Sequence, residues 1–141
     1  MQGLRPRGFT LIELMVTVAV VAILASIALP SYSAYLQRSR VPAALDGLSS
    51  YATRMEQRYQ DVGNYAAGTA CAVAVPTPSN FTVTCGLTSV DQGFTATATG
   101  AGSMSGYVYT INHQGVRNTT AHPNGVPSTA CWSTRGTTCD T

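Results

Sequence analysis

A carboxylate near the start of a long apolar run constrains this chain more than any other feature. Residues 9–29 are apolar except for Thr10, Glu13, Thr17 and Ser26. At about 1.5 Å per residue, a helix of this length spans roughly 30 Å, which is the thickness of a bilayer core. A carboxylate at the centre of such a helix costs roughly 2.5 kcal/mol or more and is tolerated only with a partner. The sequence therefore predicts either a segment that stays out of the membrane or a dedicated partner for Glu13.

The apolar run matches an uncleaved membrane anchor better than an ordinary secretory signal. A secretory signal has a basic start, an apolar core of about 7–15 residues and a cleavage site after that core. Here the apolar part is longer, and the candidate cleavage stretch ASIA, residues 25–28, is followed by more helix-like sequence. Arg5 and Arg7 precede the run, which indicates a cytoplasmic N-terminus. This interpretation alone still leaves Glu13 without a partner.

A cut between Gly8 and Phe9 would supply that partner. It creates a new α-amino group at Phe9, four residues before the carboxylate of Glu13. Residues i and i+4 of a helix share a face, so the ammonium of Phe9 can pair with Glu13. The pair can form within one chain or between two packed chains.

The stretch RGFTLIEL, residues 7–14, resembles the class III signal of type IV pilins and related pseudopilins. In that family a membrane enzyme, the prepilin peptidase, cuts after the glycine, methylates the new N-terminal phenylalanine and leaves the apolar helix in the mature protein. The resemblance implies cleavage between Gly8 and Phe9 and N-methylation of Phe9. It also implies that Glu13 sets the register of subunits during assembly.

The resemblance implies the type IV pilin fold, which is of the α+β class. In this fold a long N-terminal helix, with a membrane half and an amphipathic half, packs on an antiparallel sheet of about four strands. We expect a leader peptide at residues 1–8, a transmembrane and assembly helix at 9–30, the amphipathic half of the helix at 31–63, and a disulfide-bonded globular β head at 64–141.

A second helical pattern follows Pro30. A proline inside a helix costs about 3 kcal/mol, although the resemblance places such a proline within the long first helix. Because a second helical pattern starts soon afterwards, we predict that the helix continues through Pro30. Pro42 is a candidate second kink, and Gly63 is suited to a left-handed helix end. Apolar residues alternate in steps of four and three and predict one buried stripe: Val41, Leu45, Leu48, Ala52, Met55 and Tyr59.

Beyond Gly63 the apolar period shifts from 3.6 toward 2, which is typical of strands. We predict strands at residues 81–85, 94–99, 107–111 and 116–120, with a turn at 112–115. Four strands in sequence order favour an antiparallel meander with the amphipathic helix over one face. Residues 121–129 read as a loop, because they are rich in proline, asparagine and glycine.

All four cysteines, Cys71, Cys85, Cys131 and Cys139, lie in the polar second half of the chain. An even count behind an export signal predicts two disulfides in an oxidising compartment. The spacings contain no CxxC pair and the histidines are not at ligand spacing, so a zinc site is not expected. Of three possible connectivities we favour Cys71–Cys85 and Cys131–Cys139, because each closes a short loop.

The segment from Cys131 to Cys139 resembles the cysteine-bounded C-terminal region of pilins. Its CW…G…C arrangement is similar to that of minor pilins in the group that includes the DNA-uptake-receptor pilins. The segment at residues 55–66, MEQRYQDVGNYA, points to the same group.

The sequence contains none of the motifs typical of an enzyme: no P-loop, no HExxH, no GxSxG and no clustered carboxylate pair. We therefore predict a protein that is not an enzyme and that requires no cofactor or metal. His113 falls in a predicted turn and His122 in a predicted loop, so both are predicted to be solvated. Asn80 and Asn118 begin glycosylation sequons, which we interpret as chance matches in threonine-rich strands.

Three functions remain open. We expect a structural subunit, of the minor kind, of a type IV pilus that supports assembly, adhesion, twitching motility or DNA uptake. One alternative is a receptor whose head binds DNA through Arg117 and Arg135. Removing residues 1–8 takes the formal net charge from +2 to 0, however, and a neutral protein lacks the footprint of an avid nucleic-acid binder. The other alternative is a type II secretion pseudopilin, which the cysteine-bounded tail disfavours.

The expected partners follow from the same resemblance. They are other pilin subunits, the prepilin peptidase, the inner-membrane assembly machinery and inner-membrane lipid, with DNA as a candidate. The expected location is the bacterial inner membrane as a single-pass protein with its head in the periplasm, and then the extracellular pilus.

Overall fold

The computed structural model describes residues 8–88 and 92–140. The chain divides into two compact units, Met1–Leu36 and Gln37–Thr141. A single helix, α1 (Leu11–Val62), contributes to both units and continues through Pro30 and Pro42, as the sequence predicts.

In the first unit, α1 exposes its apolar side chains. Its most apolar window has a mean hydropathy of 2.5 and none of that window is buried, so the helix is long and apolar enough to cross a bilayer. The hydroxyls of Thr17, Ser26 and Ser33 donate to carbonyl oxygens three residues earlier, at 2.8, 2.7 and 2.9 Å. Because these polar groups are satisfied within the helix, they add little to the cost of an apolar environment.

In the second unit, one face of α1 is buried, and its centre differs from the predicted stripe. The fully buried residues are Val41, Ala44, Leu48, Tyr51 and Met55. The predicted members Leu45, Ala52 and Tyr59 are only partly buried. The ring of Tyr51 meets the ring of Phe94 edge to face at 6.1 Å, and its hydroxyl donates to the carbonyl oxygen of Val73 at 3.3 Å. The prediction is confirmed for Val41, Leu48 and Met55. The buried face is rotated slightly from the predicted stripe, because Ala44 and Tyr51 are fully buried although neither was included.

The helix ends at Val62, where Gly63 adopts a positive φ of 78°. The amide of Gly63 donates to the carbonyl oxygen of Tyr59 at 2.7 Å and closes the last turn. Glycine adopts this left-handed conformation without the steric penalty of a Cβ, which explains why the helix ends here.

In the described part of the chain, six strands follow the helix. A short hairpin, β1 (Ala66–Ala67) and β2 (Ala70–Cys71), precedes the main sheet of β3 (Phe81–Thr88), β4 (Gly93–Gly100), β5 (Val108–Asn112) and β6 (Arg117–Ala121). The main sheet is antiparallel with the order β3-β4-β5-β6. The predicted four-strand meander is therefore confirmed, with strand ends moved by up to three residues. Strands of two residues are too short to show an alternating pattern, so β1 and β2 were missed.

The core of the second unit lies between α1 and one face of the main sheet. Alternate residues of the strands face it, including Val83, Ala96, Ala98, Tyr109 and Ile111. A 3-10 helix (Gly102–Met104) joins β4 to β5 and buries Met104 completely. The Gln37 side chain donates to the Ser103 carbonyl oxygen at 3.4 Å, and Arg40 donates to the Ser103 hydroxyl. These contacts hold the connection against α1.

Candidate functional sites

The N-terminal candidate site lies where α1 begins. The Thr10 hydroxyl oxygen accepts a hydrogen bond from the Glu13 amide at 3.2 Å, and the Thr10 carbonyl oxygen accepts one from the Leu14 amide at 3.2 Å. Thr10 is therefore the N-cap of the helix, and Glu13 lies in its first turn, where the helix dipole favours an acidic residue. Phe9 is 85% exposed and precedes the helix. The Gly8–Phe9 peptide bond thus lies in non-helical backbone.

The C-terminal candidate site is built around two disulfides. Cys71 of β2 pairs with Cys85 of β3, and Cys131 pairs with Cys139, with Cα–Cα distances of 6.2 and 5.7 Å. This is the same pairing that the shortest loops favour. The second disulfide closes residues 131–139, which we call the C-terminal disulfide loop.

Ser133 anchors the C-terminal disulfide loop to the sheet. Its carbonyl oxygen accepts a buried hydrogen bond from the Tyr109 hydroxyl at 2.9 Å, and its amide donates to the Thr119 hydroxyl at 2.9 Å. Its own hydroxyl oxygen accepts hydrogen bonds from the amides of Arg135 and Gly136 at 3.2 and 2.9 Å. The loop is therefore fixed to β5, to β6 and to itself through one fully buried residue.

Burial raises the pKa of the Tyr109 phenol well above its ordinary value of 10.0, and the charges of Tyr107 and Asp140 raise it further. Burial likewise raises the pKa of Tyr65, whose hydroxyl donates to the Glu56 carboxylate at 2.7 Å. Both phenols therefore stay neutral in the folded protein when exposed tyrosines ionise.

Trp132 is the second anchor of the loop. Its indole Nε1–H donates to the Thr110 carbonyl oxygen at 2.9 Å, and its carbonyl oxygen accepts from the Asp140 amide at 3.1 Å. The Arg117 guanidinium lies 4.7 Å from the centre of the Trp132 ring. The ring is buried and hydrogen-bonded, so it provides a fixed surface on which the arginine stacks.

Both candidate DNA contacts are exposed. Arg117 lies on β6 beside a cavity of about 460 Å³, whereas Arg135 lies in the C-terminal disulfide loop beside a cavity of about 300 Å³. Asp140 lines both cavities. Trp132 and Asp140 were not assigned a role from the sequence, since nothing in the order of residues places them beside Arg117.

The prediction that His122 is solvated was wrong. His122 is 8% exposed, its ring meets the Tyr107 ring edge to face at 4.7 Å, and its Nδ1 accepts a hydrogen bond from the Asn124 amide at 3.0 Å. The loop folds back tightly enough to bury the imidazole. His113 is half-buried, and the centre of its ring lies 6.2 Å from the centre of the Tyr65 ring. Within residues 8–88 and 92–140, no cluster of three or more side chains is arranged to hold a metal ion.

The architecture is that of an α+β protein with one long helix. One half of the helix exposes an apolar surface, and four antiparallel strands of a disulfide-bonded head cover the other half. Residues 30–108 match the sequence model of the family described as "Type IV minor pilin ComP, DNA uptake sequence receptor". Residues 4–29 match the prokaryotic N-terminal methylation motif. The chain belongs to the type IV pilin family, within the group that this minor-pilin model describes.

Individual relatives agree with this assignment. The chain is 34% identical over 103 residues to fimbrial protein Q of Moraxella bovis, covering 70% of this chain and 66% of that one. It is 31% identical over 104 residues to the type IV major fimbrial protein FimA of Dichelobacter nodosus, and the match covers 62% of this chain and 67% of FimA. It is 41% identical over 66 residues to fimbrial protein EcpC of Eikenella corrodens, and spans 43% of that protein's length.

A solved structure of a type IV pilin from Shewanella oneidensis is similar with a TM-score of 0.52 and 25% sequence identity. The similarity covers 69% of this chain and 98% of that one. The predicted fold class is therefore confirmed.

Proposed function

We propose that this chain is a minor structural subunit of a type IV pilus. Residues 1–8 form the leader, and the prepilin peptidase cuts between Gly8 and Phe9 and methylates the Phe9 amine. The apolar helix holds the subunit in the bacterial inner membrane, with the head in the periplasm, until the assembly machinery moves it into the extracellular filament. The observation that carries this proposal is Glu13 in the first turn of a helix whose apolar surface is exposed.

In this proposal Glu13 acts in assembly. A carboxylate in a bilayer is costly when it is alone, and the cost falls if the positive Phe9 terminus of a neighbouring subunit lies beside it. A charge pair in a medium of low dielectric is strongly directional, so it fixes the axial step between packed helices.

The test is competition between Glu13→Ala and wild-type subunits. We expect the variant to reach the membrane, to be cleaved and to keep a disulfide-bonded head, but to enter filaments poorly. The measurement is the ratio of variant to wild type in sheared filaments divided by the same ratio in membranes. Thr17→Ala, which also removes a polar group from the helix, is the matched control and should give equal ratios. If the ratio of Glu13→Ala to wild type is the same in filaments as in membranes, Glu13 does not act in assembly, and its role would be recognition by the peptidase alone.

The minor role has its own test. Quantitative mass spectrometry of sheared filaments gives the stoichiometry of this chain relative to other pilins. A minor subunit is a small fraction of the filament, and a majority share would contradict that part of the proposal.

A second candidate function is contact with DNA by the head. The matching family's description as a DNA uptake sequence receptor favours it, and so do the exposed guanidinium groups of Arg117 and Arg135. The test uses the full chain in detergent micelles with duplex DNA at several salt concentrations. Loss of an arginine contact with DNA should weaken binding, and where that contact is with a phosphate it should also flatten the salt dependence. Arg117→Gln and Arg135→Gln are therefore compared with Arg54→Gln, an exposed arginine on α1. Equal binding by all three variants and wild type would reject both contacts.

A further inference from the structure

Two opposite charges line one cavity in the head without pairing with each other. Arg117 and Asp140 both border the cavity of about 460 Å³, which is also lined by Leu45, Trp132 and the turn between β5 and β6. Both side chains lie in the described part of the chain, and no ion pair joins them. The cavity therefore offers hydrogen-bond donors and acceptors at once, a combination that suits a ligand with both kinds of group.

Each of the two charged groups is held in place by its own contacts. The Arg117 guanidinium stacks on Trp132, and the Trp132 ring is in turn fixed by its bond to the Thr110 carbonyl oxygen. The Asp140 carboxylate accepts hydrogen bonds from the Thr134 amide at 2.9 Å and the Thr134 hydroxyl at 3.1 Å, one on each oxygen. Each carboxylate oxygen keeps capacity for another donor. The site is thus preorganised before any ligand arrives.

We propose that this cavity binds one unpaired guanine base of DNA, an inference that rests on the proposed contact between the head and DNA. Guanine presents acceptors at O6 and N7, which an arginine reads with two hydrogen bonds. Its N1–H and N2–H₂ donors match the two oxygens of the Asp140 carboxylate. Adenine carries an amino group where guanine has O6. That amino group donates hydrogen bonds, as the Arg117 guanidinium does, so the two groups cannot pair and adenine should bind less tightly.

The shape and charge of the site favour an unpaired base over a phosphate or a paired base. Base edges of duplex DNA lie at the floor of a groove about 8.5 Å deep, so side chains that read them must protrude from the protein. A recess instead accepts a base that has left the stack, as enzymes that act on bases do. A phosphate group would be repelled by Asp140.

The test changes single atoms of the ligand and leaves the protein intact. The full chain in detergent micelles is titrated with short single strands of thymine that carry one central guanine, hypoxanthine, 7-deazaguanine, adenine or cytosine. We expect guanine to bind about tenfold more tightly than thymine alone. Hypoxanthine, which lacks the N2 amino group, and 7-deazaguanine, which lacks N7, should each lose much of that preference. Equal binding of guanine and thymine, or a preference for adenine or cytosine, would overturn the proposal.

Variants of the protein complete the test. Asp140→Asn should abolish the preference for guanine, while Arg54→Gln, which removes a charge that does not line the cavity, should keep it. Intact disulfides and an unchanged melting temperature of Asp140→Asn establish that its loop remains folded. A variant that melts earlier leaves the decision to the base analogues on the wild-type chain. Binding without base preference rejects the guanine site alone, whereas failure to bind any single strand or duplex rejects the DNA contact as well.

Discussion

The buried hydroxyl of Tyr109 donates a hydrogen bond of 2.9 Å to the carbonyl oxygen of Ser133, 24 residues further along the chain. It is one of the contacts through which the sheet holds the C-terminal disulfide loop. Tyr109→Phe keeps the ring but leaves the Ser133 carbonyl without this donor, which costs about 1–3 kcal/mol. Urea unfolding of the full chain in detergent measures the loss.

The matched control for this substitution is Tyr107→Phe. Tyr107 is also buried, but its hydroxyl makes no hydrogen bond with the described part of the chain. The Tyr107→Phe variant should therefore unfold at nearly the same urea concentration as the wild-type protein. An equal loss for the two variants would show that the Tyr109 bond contributes nothing specific.

Alkaline pH should destabilise the head. The folded-state pKa values of Tyr109 and Tyr65 lie above the ordinary value of 10.0, so the unfolded chain releases these protons first as the pH rises. Stability is then fully present below about pH 10 and falls above it, because the unfolded state gains charge that the folded state cannot accept. The midpoints of urea unfolding, measured below and above that pH, give the size of the loss of stability. Tyr109→Phe should lose less than wild type, and an unchanged midpoint in wild type would contradict the prediction.

Removing the Cys131–Cys139 disulfide should destabilise the head by about 2–4 kcal/mol, since it frees the chain ends of a short loop in the unfolded state. The double variant Cys131→Ser with Cys139→Ser, compared with the same change at Cys71 and Cys85, measures each disulfide separately. Peptide mapping of the non-reduced protein checks the pairing directly. A peptide that joins Cys71 to Cys131 or Cys139 would reject it.

Gly8→Leu should block processing at the Gly8–Phe9 bond, because the proposed peptidase site requires glycine before the cut. The precursor should accumulate in the membrane with residues 1–8 attached, as intact-mass measurement would show. Gly3→Leu places the same bulk elsewhere in the leader and should mature normally. Maturation of Gly8→Leu to the wild-type mass would mean that the cut lies elsewhere.

Most of the fold follows from local periodicity. The long helix, its passage through Pro30 and the four-strand meander depend on spacings of three, four and two residues that can be read directly from the sequence. The rotation of the buried stripe could not be read in the same way. It depends on the Tyr51 ring meeting Phe94, and those residues are brought together only by tertiary packing.

The candidate site was only partly predictable for the same reason. Arg117 stands out in a head with few charges, but its stacking on Trp132 and its shared cavity with Asp140 arise from the return of the C-terminal disulfide loop to the sheet. His122 shows the limit of composition-based reasoning. A loop rich in proline and glycine is usually solvated. Here the His122 imidazole is buried instead, because it packs against the Tyr107 ring and accepts a hydrogen bond from the Asn124 amide.

The order β3-β4-β5-β6 has a kinetic consequence, because every strand of the main sheet pairs with its neighbour in sequence. Such a topology has a low contact order, and proteins rich in local contacts fold faster than those that must first close long loops. The disulfides obey the same rule, since they join cysteines 14 and 8 residues apart. The sheet can therefore assemble hairpin by hairpin, and oxidation then locks neighbours that are already together instead of bringing distant segments into contact.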